Sequence, residues 1–304
     1  MTPTPTPLEP APPALGEGRE LFLKREDVHE IGAFKWRGAL PVLAAYRAAG
    51  ADAVVTASTG NHGAATAWAA NQLGLRAIVY APKSATQAKL DLVGGLGAEV
   101  RLVGADFDEA KEEARTQAAR ERLPFFEDGA ERAQYEGYGA IADEILDQLA
   151  EPPTAIVVPV GNGALFGGIG LHTVTRSPDT LRIGVAAKEA PVMVDSWQAG
   201  AVVASDRSAT FADGLAVRVA IPLAVEVLGE VANRMVLVSE REIAGAVGAF
   251  AAAGIRVEGA AGAALAALPQ LADVDGPIVL IVTGRNIDDE LHQRACEQPD
   301  SFAD

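Results

Sequence analysis

AVVTASTGNHG, residues 53–63, carries the reading that decides the fold. Ala53 to Ser58 is an apolar, partly β-branched run of strand length, and Thr59 to Gly63 has the small, polar make-up of a tight loop. The Ala-rich residues that follow continue as a helix through Leu73. A strand that turns at once into a helix belongs to a parallel sheet, because parallel neighbours need a crossover connection.

The alternation extends in both directions. Downstream, LRAIVYA (75–81) reads as a strand, 84–96 as a helix and AEVRLVG (98–104) as a strand. An acidic helix over 107–122 follows, and PFFED (124–128) closes the run. A second series comprises a helix over 138–149, the strand TAIVVPV (154–160), and the Gly-rich GNGALFGG entering a helix. It continues with strands LRIGVAA (181–187) and MVLVSE (235–240), helices over 240–253 and 259–268, and a last strand PIVLIVTG (277–284). Upstream, LFLKRED (21–27) is a strand leading into a loop. The spacing of 33–50 predicts a helix, with a break or late start at Pro41. The Pro-rich first 15 residues are extended. The fold class is therefore α/β, two-lobed, with open, mostly parallel sheets flanked by helices. The large lobe takes 1–38 with 135–304, and the small, substrate-side lobe takes 39–134.

Composition excludes several functions. The 304 residues are 49% apolar and 22% charged, unlike disordered or fibrous chains. Lysine plus arginine totals 25 against 41 acidic residues, a net charge of −16. Such a surface repels phosphate backbones and anionic membranes, so no nucleic-acid or membrane partner is expected. No apolar run is long enough to span a bilayer. The opening MTPTPTPLEPAPP lacks the basic and apolar stretches of a signal peptide, so a cytoplasmic protein is the expectation. The lone Cys296 makes neither an internal disulfide nor a zinc cluster, and His29, His172 and His292 lack zinc-motif spacing.

Three loops carry the chemistry. Lys35, in GAFKWRGA (32–39), is one of only six lysines beside 19 arginines. An amine in a partly dry pocket forms an imine with an aldehyde readily, although a lysine stem packed on aromatic neighbours looks the same in sequence. STGNHG (58–63) stands between a strand and a helix, where backbone donors and hydroxyls face a carboxylate; ordinary helix capping uses the same residues. Gly161, Asn162, Gly163 and Ala164 follow a strand, and consecutive amides of small residues wrap a phosphate at a helix start, or simply allow close packing. Neither a nucleotide P-loop nor a GxGxxG fingerprint is present.

GAFKWRGA, STGNHG, PVGNGALFGG and VTGRN (282–286), in this order, resemble the motifs of pyridoxal-phosphate enzymes of the tryptophan-synthase-like fold (fold type II). The similarity spans about residues 19–290 and is strongest to the serine/threonine dehydratase and serine racemase group. The resemblance implies a pyridoxal 5'-phosphate cofactor bonded to Lys35 and packed by Phe34. Asn61 would meet the cofactor's 3'-hydroxyl, the amides of Gly161, Asn162, Gly163, Ala164 and Leu165 its phosphate, and Thr283 its pyridine nitrogen. Ser58, Thr59, Asn61 and His62 would receive the carboxylate of a small amino-acid substrate. A homodimer is also implied.

Several positions depart from the family pattern. Asn162 and Ala164 replace two glycines of the phosphate loop, and positive φ is restricted at Ala164. VTGRN stands for the commoner SGGN, so Arg285 either perturbs the cofactor or faces away. Ala186 occupies the place of a metal-site glutamate, so no metal is expected. Glu258 reads either as a group near the ring or as a helix cap, and Asp213 and Gly214 as family residues or a turn. Tyr135, Glu136 and Tyr138 lie on the substrate side or close the lobe. The acidic runs at 106–113 and 288–290 are solvated faces or helix ends. The implied reaction is α,β-elimination of water from L-serine, L-threonine or a related 3-hydroxy amino acid, giving a 2-oxo acid and ammonia, with Lys35 and Thr59 as catalytic residues. Racemisation is the alternative, with Thr59 working the opposite face from Lys35. β-Replacement and a noncatalytic binding fold follow behind.

Overall fold

Apolar runs of about five residues, bounded by turn residues, become strands, and the longer small-residue stretches between them become helices. The computed structural model describes residues 4–16, 18–205 and 208–304, so the first three residues of the Pro-rich stretch lie outside it. In chain order the elements open with β1 (Leu8–Pro10), α1 (Pro13–Gly16), β2 (Leu21–Arg25), α2 (Trp36–Ala48), β3 (Ala53–Ala57) and α3 (Asn61–Leu73). Next come β4 (Arg76–Ala81), α4 (Gln87–Gly95), β5 (Glu99–Leu102), α5 (Phe107–Glu121), α6 (Arg132–Gln148), β6 (Ala155–Pro159) and α7 (Ala164–Arg176). The chain ends with β7 (Leu181–Ala187), α8 (Val192–Ala199), α9 (Pro222–Val231), β8 (Arg234–Val238), α10 (Glu240–Ala252), α11 (Gly259–Ala266), β9 (Ile278–Val282) and α12 (Asp289–Glu297). The chain divides into two units, Met1–Phe34 with Tyr138–Asp304, and Lys35–Gly137.

The first unit is built on a six-stranded sheet in the order β1-β2-β9-β6-β7-β8. Only β1 runs antiparallel, pairing Leu8 with Lys24; β2, β9, β6, β7 and β8 are parallel, with Leu21 opposite Ile278 and Ala155 opposite Leu181. Every residue of β6 and β9 is buried, as strands covered on both faces must be. Ala155, Val157, Ile183, Leu280 and Val282 join Ile243, Val247 and Phe250 of α10 and Ala261 and Ala264 of α11 in one core. α11 consists of Gly, Ala and one Leu, all buried.

The second unit holds the parallel sheet β3-β4-β5, with Ala53 opposite Arg76 and Ile78 opposite Glu99. Val55, Ala57, Ile78 and Tyr80 pack on Ala114 and Ala118 of α5. Phe125 of the PFFED segment adds only a single bridge to Val55. α2 begins at Trp36, three residues later than its periodicity suggests. The reason is that Ala33 bridges Gly284 and the Phe34 N–H donates to the Thr283 carbonyl at 3.0 Å, which ties both residues to the segment after β9 before the helix begins. Pro41 lies inside α2 without ending it.

Candidate active site

In the first unit, β6, β7 and β8 succeed one another in one direction, while β9 pairs with β6 on its other side. Open α/β sheets place ligands outside the carboxyl ends of strands where the order reverses, here between β6 and β9. The loop Gly161–Gly163 leaves β6 at that edge, and Thr283 ends β9 beside it. A Cβ on Gly161 would collide with the Gly214 carbonyl, so only glycine lets the two backbones approach. Gly163 has φ +89°, and a Cβ there would lie 2.9 Å from Met193 Cε and 3.0 Å from Leu228 Cδ1. Ala164 is the first residue of α7, and Arg122 is the only non-glycine with positive φ among the described residues. The replacements at 162 and 164 therefore leave the turn intact. Asn162 alters it in another way: its Oδ1 accepts the Ala164 N–H at 3.1 Å, occupying one of the amides assigned to a phosphate. The positive end of a 13-residue helix and a cradle of small residues suit an anion, and so fit a phosphate group.

Thr283 is buried, and its Oγ1 donates to Glu258 Oε1 at 2.8 Å. Glu258 precedes α11 but makes no side-chain cap bond; its carboxylate turns instead to Thr283 and to Gly284, where a Cβ would lie 2.8 Å from Oε2. Phe34, pinned to Thr283 through its backbone, tilts against the buried ring of Tyr138 at 5.2 Å. Arg285 points away: its guanidinium donates to the Asp27 carbonyl, and its N–H to that of Gly32 at 2.9 Å.

The second unit holds the remaining candidates. Ser58 leaves β3, its N–H donating to Tyr80 O at 3.2 Å and its Oγ accepting the Gly60 N–H at 3.2 Å. Thr59 is half-buried in this turn, and Asn61 and His62 open α3. Lys35 occupies the position before α2, and its Nζ pairs with Asp128. The His62 ring is buried, with Nε2 3.1 Å from Thr56 Oγ1 and 3.3 Å from Phe126 O, and Nδ1 3.6 Å from Asp128 Oδ1. Both ring nitrogens thus face protein groups. Burial, ahead of the opposing pull of Asp128, holds this imidazole below its ordinary range. Burial would raise the Asp128 carboxyl, but Lys35 and His62 outweigh it and hold the group well below the carboxylate range.

Two clusters result. The Gly161–Leu165 loop, Thr283 and Phe34 share one sheet edge of the first unit, with Glu258 added. Lys35 and His62 meet at Asp128 in the second. The sequence reading names Asp128 only as the end of PFFED. Its one signal is an acidic residue at the carboxyl side of a short apolar run. Tyr135 is buried and donates to the Gly129 carbonyl at 3.0 Å, so it closes that loop. Among the described residues, no group of three His, Cys, Asp or Glu side chains is arranged to hold a metal ion, and no helix is long and apolar enough to cross a membrane.

Comparison with known proteins identifies the family and the fold. A family model described as pyridoxal-phosphate dependent enzyme matches residues 1–284. The chain is 37% identical over 231 residues to the biosynthetic L-threonine dehydratase of Pasteurella multocida, covering 76% of this chain and 45% of that protein. It is 36% identical over 279 residues to the L-threonine ammonia-lyase of Geobacter sulfurreducens, covering 89% of this chain and 68% of the relative. The fold superposes on the processed form of threonine deaminase isoform 2 from Solanum lycopersicum with a TM-score of 0.91 and 31% identity, over 97% of this chain and 88% of that one. The chain thus spans less than half of one of these curated relatives and about two thirds of the other.

Proposed function

The chain belongs to the family of pyridoxal-phosphate dependent enzymes, and on that premise we propose that it eliminates water from L-serine, L-threonine or another 3-hydroxy amino acid to give a 2-oxo acid and ammonia. Relatives named threonine dehydratase, ammonia-lyase and deaminase support this reaction class. The observation that carries the reading is the shared sheet edge, where a left-handed turn opens α7 beside the hydroxyl that ends β9.

When bound, pyridoxal phosphate withdraws electrons from the substrate's α-carbon. Lys35 would hold its aldehyde carbon, and the Lys35 amine would take the substrate's α-hydrogen on Nζ. The amides of Gly161, Asn162, Gly163, Ala164 and Leu165 would hold the phosphate, the Ala164 amide being bonded here to the Asn162 side chain. Phe34 would pack the ring and Asn61 would meet the 3'-hydroxyl. Thr283 would stand at the pyridine nitrogen, and with its own proton directed at Glu258 its Oγ1 could only accept there. Ser58, Thr59, Asn61 and the His62 backbone would receive the substrate carboxylate, and Thr59 would supply the hydroxyl for proton transfer opposite Lys35. The protein acts as a cytoplasmic homodimer.

The deciding experiment is a panel of L- and D-3-hydroxy amino acids scored together for keto acid, ammonia and product chirality. Keto acid and ammonia in equal amounts from an L-substrate are expected. A panel that yields D-amino acid without keto acid replaces elimination with racemisation, and no product from any member refutes both.

A further inference from the structure

One carboxylate in the second unit has no part in the functions assigned so far, yet it touches the residue on which they depend. Lys35 Nζ pairs with Asp128 Oδ2, while Asp128 Oδ1 accepts from Gln134 Nε2 at 3.0 Å and lies 3.6 Å from His62 Nδ1. The loop that carries it is fixed on several sides. Gln134 Oε1 accepts the Gly129 N–H at 2.7 Å, and the Tyr135 hydroxyl donates to the Gly129 carbonyl at 3.0 Å. Glu127 is tied to α5 by Lys111 at 2.7 Å and Arg115 at 2.6 Å.

The groups facing this carboxylate are therefore Lys35 from the start of α2, His62 from α3, and Gln134 and Tyr135 from α6, with the exposed Arg132 near Tyr135 and Glu127 next to Asp128 in the chain. The Glu127 charge is met by two cations, and Tyr135 keeps its proton because burial raises the phenol. Burial also keeps His62 neutral at neutral pH. Lys35 is then the full charge paired directly with Asp128.

We infer that Asp128 is a positioning residue for Lys35: it fixes the amine in one place and stands ready to meet the charge that Nζ gains on taking the substrate's α-hydrogen. This rests on the reading of Lys35 given above. As the proton moves, the C–H bond breaks and its electron pair stays on carbon, while a new N–H bond forms and a positive charge appears on Nζ. Asp128 meets that charge with a carboxylate within hydrogen-bond reach, an interaction about twice as strong as its neutral counterpart. Without it the ammonium would form in half-buried surroundings that penalise charge.

Coupling between two groups is reciprocal, so it is readable from either end. In cofactor-free protein, Asp128→Asn should acylate at Lys35 roughly tenfold faster than wild type, because the amine is no longer engaged by the carboxylate. The readout is mass spectrometry of the Lys35 peptide, and Asp128→Glu should restore the slow rate. In the reverse direction, Lys35→Met should raise the pH midpoint of the Asp128 carboxyl in carbon-13 NMR; this arm decides if Asp128→Asn does not fold. In loaded enzyme, Asp128→Asn should lower kcat on the order of tenfold with little change in KM, and Asp128→Glu should recover it. An unchanged kcat, unchanged Lys35 acylation, or an unmoved Asp128 midpoint overturns the inference. Should both shifts appear in a protein that never binds pyridoxal phosphate, the pair stands and the catalytic reading of Lys35 falls instead.

Discussion

Gly163→Ala tests the turn at the head of α7 most directly. At φ +89° an L-residue pays the left-handed penalty of about 1–2 kcal/mol. The added methyl would also sit 2.9 Å from Met193 Cε, 3.0 Å from Leu228 Cδ1 and 3.2 Å from Ala224 Cβ. Forcing one carbon into a packed site of this kind costs about 1–3 kcal/mol. The two effects together remove about 2–5 kcal/mol from a domain whose whole stability is on the order of 5–15 kcal/mol. The companion variant Ala164→Gly sits one residue later, on helical backbone, and should cost at most about 1 kcal/mol. Urea unfolding of the two variants measures the difference, and titration with pyridoxal phosphate reports whether the loop still presents its amides. Gly163→Ala should lose both stability and cofactor affinity, whereas Ala164→Gly should lose little of either. Equal costs for the two would refute the assignment of the strained turn to Gly163.

Three further perturbations reach other parts of the structure. Lys24 is fully buried, donating to Glu144 Oε2 at 2.6 Å and to the Thr6 carbonyl at 2.7 Å; Lys24→Met should cost about 3–5 kcal/mol, and adding Glu144→Leu should recover much of it, as read by urea unfolding. His62 is held below its unfolded range by burial, so its contribution is complete above about pH 6.5 and is lost as pH falls from there toward the lowered value. His62→Gln should therefore lessen the loss of stability between pH 7.5 and 5.5 by about 1 kcal/mol, and an identical loss in both proteins would contradict the buried neutral ring. Thr59→Ala should suppress any racemisation more than elimination, and equal retention of both rates in a chiral product assay would remove Thr59 from the proton path.

The sequence exposes what is local and conceals what is assembled. β6 and β9 are buried on both faces, so each appears as an unbroken apolar run, and the loops that follow them can be located by counting from the strand ends. That is why GNGALFGG and VTGRN point to one edge before any strand order is known. α9 is harder to read: in PLAVEVLGEV the residues Val225, Val227, Leu228 and Val231 are buried, and a β-branched run of that length resembles a strand as much as a helix. Glu258 shows the limit for single residues. An acidic residue before a helix announces a cap, and its actual partner, the Thr283 hydroxyl 25 residues on, is fixed only by the pairing of distant segments. Asp128 lies further beyond reach, since 93 residues separate it from Lys35 and its own segment meets the sheet through the bridge of Phe125 to Val55 and the Thr56 hydroxyl's bond to the Phe126 carbonyl. In a chain of net charge −16, one more carboxylate in a loop reads as solvated surface. Its significance comes from the cation placed against it, and that placement follows from α2, α3 and the PFFED segment closing around one point of the second unit.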